Sequence, residues 1–87
     1  MSKNVVIAFI FPNTNYAMEA ESLLAKAKLH PNFLALPGDL GLGCGTAVTV
    51  LEGGEKQAIA VLKKNSVSVL SIWIVGKNGE PWKPYKR

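Results

Sequence analysis

Val5-Val6-Ile7-Ala8-Phe9-Ile10-Phe11 runs directly into Pro12-Asn13-Thr14-Asn15, and the reading of that junction decides the fold. The seven residues are apolar at both parities, and most are β-branched or aromatic. A strand wetted on one face would alternate, so this one is expected at the centre of a sheet, covered on both faces. Pro12 carries no N–H for a ladder and stops the strand. Asn13, Thr14 and Asn15 then offer side-chain oxygens that accept from the orphan N–H groups of a helix start. A strand passing into a helix within four residues is the first half of a β-α-β unit.

Outward from the junction, Ala17, Ala20, Leu24 and Ala27 recur at helical spacing with Leu23 widening the stripe, which predicts a helix from about Tyr16 to Leu29. Its alanines let it lie close on a sheet, and His30-Pro31 ends it. Asn32 to Leu36 reads as a short second strand closed by Pro37-Gly38. The loop Asp39-Leu40-Gly41-Leu42-Gly43-Cys44-Gly45 follows, and Thr46 to Val50 alternates as a third strand. Gly53-Gly54 breaks it. Glu55 to Lys64 is a second helix with Ala58, Ile59 and Leu62 inward, and Asn65 is placed as its left-handed cap. Val67 to Val75 is a fourth strand, Gly76 to Gly79 a turn, and Glu80 to Arg87 has no clear element.

The order β-α-β-β-α-β, with right-handed crossovers, predicts an α+β ferredoxin-like domain. It would have a four-stranded antiparallel sheet with two helices on one face. Residues 1–76 form the domain, and 77–87 a basic, Pro-containing tail. The sheet face without helices would still be apolar, and such faces mark interfaces. A second copy of the chain in a homodimer, or the tail folding back through Trp82 and Tyr85, is expected to cover it.

Composition narrows the chemistry. The 87 residues are 48% hydrophobic and 18% charged, as a single folded domain requires. The longest apolar run, seven residues, falls short of the roughly 18–20 that cross a bilayer, so no membrane segment is expected. Nor is a secretory leader, because Pro12 to Asn15 stands where a small-residue cleavage site would be. The net charge of +4 belongs mostly to the tail, where Lys77, Lys83, Lys86 and Arg87 face Glu80 alone. The domain itself has no basic face, so nucleic acid is not an expected partner. One cysteine and one histidine exclude an internal disulfide and the multi-thiolate or multi-histidine zinc sites, and no metal or other cofactor is expected.

Cys44 is the strongest nucleophile in the chain. The flanking Gly43 and Gly45, with Gly41, leave its side chain uncrowded and can aim backbone N–H groups at one point, which favours a reachable thiolate. Set against this, a free cysteine in a small domain is commonly a core filler. The residues alone leave both readings open. Gly41-x-Gly43-x-Gly45 is no nucleotide loop, since it enters a strand and no helix dipole awaits a phosphate. His30 reads as a surface residue at a helix end, Lys63-Lys64 as a solvated helix face, and Asp39 and Glu52 as unpaired.

Three stretches together resemble a known family. They are Tyr16-Ala17-Met18-Glu19-Ala20-Glu21-Ser22-Leu23-Leu24, then Ala35-Leu36-Pro37-Gly38-Asp39-Leu40, then Gly43-Cys44-Gly45-Thr46-Ala47-Val48. The chain resembles, over about Val5 to Val75, the small bacterial domains called selenium/sulfur carrier-like proteins. A loop with proline and a Cys-Gly opening a strand carry the likeness. It departs in having Gly38 after Pro37 where relatives tend to carry Arg, Leu42 where Ser is usual, and Thr49 near a common Arg. The resemblance implies a cytoplasmic carrier or accessory protein, not a turnover enzyme. Cys44 would hold a persulfide-type adduct within the loop of Pro37, Gly41, Gly43 and Gly45, between sulfur or selenium donor and acceptor proteins. The other reading is a non-catalytic ferredoxin-like module for ligand binding or dimerisation, with Cys44 structural.

Overall fold

The computed structural model describes residues 5–35, 46–76 and 82–85. Its elements are β1 (Val6–Ile10), α1 (Thr14–Lys26), β2 (Asn32–Ala35), β3 (Thr46–Leu51), α2 (Glu55–Lys64), β4 (Ser71–Val75) and β5 (Lys83–Pro84). The expected α+β class, with two helices and an antiparallel sheet, is what folds. The sheet, however, has five strands and not four, in the order β2-β3-β1-β4-β5. β1 is central, paired on one side with β3 and on the other with β4.

The fifth strand comes from the tail. Tyr85 donates its N–H to the Ile72 carbonyl at 2.9 Å, and Trp73 and Ile74 stand opposite Pro84 and Lys83. Pro84 is tolerated because β5 is an edge strand whose outer side needs no ladder donor. A two-residue strand of Lys and Pro has no periodicity to read, which is why the sequence left it unassigned.

Register divides the residues between two faces. Ile7, Phe9 and Phe11 of the first strand region point with Val48, Val50 and Ile72 toward Ala17, Ala20 and Leu24 of α1 and Ala58 and Leu62 of α2. Both helices therefore bury their stripes against one side of the sheet. On the other side Ala8, Ile10 and Ala47 are fully buried and pack with Trp73, Val75 and Trp82. Trp82 covers part of this second face, as the tail reading expected. Tyr85 does not, because strand parity turns it to the helix side, where it packs on the main core.

Local chemistry sets the helix ends. Asn13, extended at φ −154°, accepts the Tyr16 N–H on its Oδ1 at 3.0 Å. α1 closes earlier than expected: Leu29 N–H bonds the Leu24 carbonyl and Lys28 N–H the Ala25 carbonyl, with Lys28 at φ 62°. That is a Schellman closure with lysine where glycine is usual. α2 closes in the same way, through Val67 N–H to Leu62 and Ser66 N–H to Lys63. The left-handed residue there is Ser66 (φ 59°), one position beyond the expected Asn65, whose φ is −97°. Because Val67 completes the closure, Val67 to Val69 lies outside the strand; Leu70 donates its N–H to the Ile10 carbonyl at 2.6 Å, and β4 runs from Ser71.

Candidate functional site

Cys44, with Gly41, Gly43, Gly45 and Pro37, lies outside the described residues; its frame is described. Ala35 at the end of β2 and Thr46 at the start of β3 are Cα partners. Adjacent strands lie about 4.7–4.9 Å apart. The segment 36–45, which carries the thiol, therefore leaves and re-enters the sheet at neighbouring positions.

That attachment point lies at one end of the sheet. Next to Thr46, Ala47 stands opposite Ile10, and Ile10 opposite Ser71. The starts of β3 and β4 and the end of β1 thus share one end of the sheet, about two strand spacings (~10 Å) across. From the end of β1 the chain passes through Phe11 and Pro12 into the N-terminus of α1, and α2 finishes just before β4 at the same end. The first turn of α1 contains no acidic residue, and the last turn of α2 carries Lys63 and Lys64. The N-terminus of α1 and the basic last turn of α2 therefore lie at this end of the sheet.

Other candidates fall elsewhere. His30 is exposed and precedes the opposite end of β2, so the length of that strand separates it from Ala35. Glu52 follows β3 at that far end too, while Asp39 lies outside the described residues. Among the described residues no three His, Cys, Asp or Glu side chains group as a metal site, and every buried side-chain nitrogen or oxygen has a hydrogen-bond partner. Thr49, buried on the second face, donates its hydroxyl to the Asn32 carbonyl at 3.3 Å and so ties β3 to β2. Within the described residues no helix is long and apolar enough to cross a membrane.

One feature was not anticipated from the sequence. Ile59, Leu62 and Lys63 of α2, with Val67, Val69 and Ile72, line a groove of about 400 Å³ between that helix and the approach to β4. Lys63 had read as part of a solvated helix face. The available signal was the apolar pair Val67 and Val69 just beyond the helix end, which the reading of 67–75 as one continuous strand concealed.

No curated protein and no solved structure matches the chain. The sequence model of a family described as "Putative Se/S carrier protein-like" matches residues 7–74, which span β1 to β4 with both helices and the segment of Cys44. The chain belongs to the Se/S carrier protein-like family.

Proposed function

We propose that this protein is a small cytoplasmic carrier of sulfur or selenium, and not a turnover enzyme, with Cys44 as the carrying thiol. Family membership is the observation that carries the reading, and the family's description implies exchange with other proteins. The attachment of the Cys44 segment between β2 and β3, at the sheet end where α1 begins, is compatible with it. In the transfer, the Cys44 thiolate attacks the terminal sulfur of a donor persulfide. A new S–S bond forms, the donor's own S–S bond breaks, and the donor leaves as a thiolate. Cys44 is left as a persulfide that retains the proton of the transferred sulfur. Sulfane sulfur keeps its oxidation state throughout, so no separate oxidant is needed. Gly41, Gly43 and Gly45, with Pro37, form the binding loop in this reading and give partners access to the sulfur.

The scaffold we propose is a ferredoxin-like unit over residues 1–76, with the tail 77–87 contributing its fifth strand. Strand order β2-β3-β1-β4 and helices on one face support it. A second copy of the chain on the open sheet face is part of the same proposal. By register that face presents Val6, Leu51, Trp73 and Val75 and no ionisable side chain among its described residues.

Intact-mass spectrometry after incubation with a cysteine desulfurase and cysteine tests the carrier role. The expected result is a gain of one sulfur atom, mapped to Cys44 and absent from Cys44→Ser. Absence of any adduct, together with slow iodoacetamide labelling of the folded protein, would overturn it. A Cys44→Ser variant that keeps its melting temperature separates a carrier thiol from a packing one, because placing a hydroxyl in a core costs about 1 kcal/mol or more.

A further inference from the structure

We propose that the groove between α2 and the approach to β4 binds a small carboxylate with an apolar body. The proposal is independent of the carrier reading. Five of the six lining side chains are aliphatic: Ile59, Leu62, Val67, Val69 and Ile72. Leu62, Val67 and Ile72 form a floor that is nearly closed to solvent, at 1%, 6% and 6% exposure, while Ile59 and Val69 are half-buried walls. A volume near 400 Å³ falls in the range of small-ligand sites, about 300–1,000 Å³.

The sign of the ligand follows from what surrounds this floor. Lys63 is the one polar residue of the lining. Lys56 lies on the same flank of α2, two turns before Lys63, and Lys64 follows it. Lys83 stands on the helix side of the neighbouring β5, opposite Ile74. Beyond Glu55, none of the described residues of α2, the segment 65–76 or 82–85 is acidic. The carbonyls of the α2 end would attract a cation, but those of Val61, Leu62 and Lys63 are already engaged. Leu62 accepts from Val67, Lys63 from Ser66, and Val61 from both the backbone and the side-chain amide of Asn65. What remains at the mouth is ammonium charge over an aliphatic floor. Its chemical complement is a hydrocarbon chain ending in a carboxylate.

Octanoate is a suitable probe and 1-octanol its uncharged counterpart, both titrated into the full chain while backbone amide shifts are followed. Octanoate is expected to give saturable shifts confined to Ile59, Leu62, Lys63, Val67, Val69 and Ile72, with 1-octanol binding the same residues more weakly. Lys63→Gln is expected to weaken octanoate about two- to fivefold, as loss of one exposed ion pair does, and to leave 1-octanol unchanged. Because Lys63 is exposed, the variant keeps the fold, which the unaltered shifts of β1 verify. Shifts that do not saturate or that scatter over the surface would overturn the site. Equal binding of the two probes, or a Lys63→Gln variant that holds octanoate as well as the parent, would overturn its anionic specificity.

Discussion

Lys28 holds a left-handed backbone, φ 62°, in which its Cβ crowds the following carbonyl. Glycine escapes that crowding at some cost in unfolded-chain entropy, so Lys28→Gly is expected to raise stability by about 0.5 kcal/mol. Urea unfolding measures it, and a loss of stability would show that the lysine side chain contributes more than its backbone costs. Gly53 presents the reverse case. At φ +102° it occupies a region that L-residues rarely adopt, although open space surrounds it. Gly53→Ala is therefore expected to cost about 1–2 kcal/mol through strain alone, without any clash. Its N–H also donates to the Glu55 carboxylate at 2.7 Å, which ties the turn to the start of α2. In the core, Phe9 is wholly buried at the centre of β1. Phe9→Ala should cost about 3–5 kcal/mol, a large part of what holds a domain of this size together. Thermal unfolding would report it.

Among the elements, those with chemical punctuation at both ends were legible. α2 runs from Glu55 to Lys64 as its flanking Gly53-Gly54 and Asn65 suggested. β1 was recognisable as central because nothing in it is polar. α1 ran short of its expected end because Lys28, which carries no turn signal, takes the left-handed position that closes the helix. The start of β4 was hidden for a related reason: Val67 and Val69 are β-formers by composition but serve the helix closure and the core. β5 was illegible in Lys83-Pro84, although the aromatic residues on either side of it hinted that the tail docks. Cys44 was singled out by its rarity and its glycines, and whether a thiol reacts is decided by surroundings that residue order does not specify. Removal of residues 77–87 tests the contribution of β5. Without Trp82 and Tyr85, both core clusters lose packing, and the expected result is a lower melting temperature with increased binding of a hydrophobic dye. An unchanged melting curve would mean that the tail merely rests on the sheet.

At the scale of the whole molecule, the two faces of the sheet are unequal. One is roofed by two helices, the other, among the described residues, by side chains alone, and Leu51 stands 54% exposed on that side. If two copies meet there, Leu51→Glu should shift the species seen by light scattering from dimer to monomer while leaving circular dichroism unchanged. A monomer in the parent protein at high concentration would end that reading. The position of β1 also bears on how the chain comes into being. The strand at the middle of the finished sheet is synthesised before both of its partners, Ala47 to Leu51 and Ser71 to Val75. Seven consecutive apolar residues therefore wait unpaired until residues 47–51 emerge, and are paired on both sides only after residues 71–75 follow. Pairings so distant in sequence form slowly, and an unpaired apolar strand invites association with other chains. The nascent protein, more than the folded one, is where a chaperone would be needed.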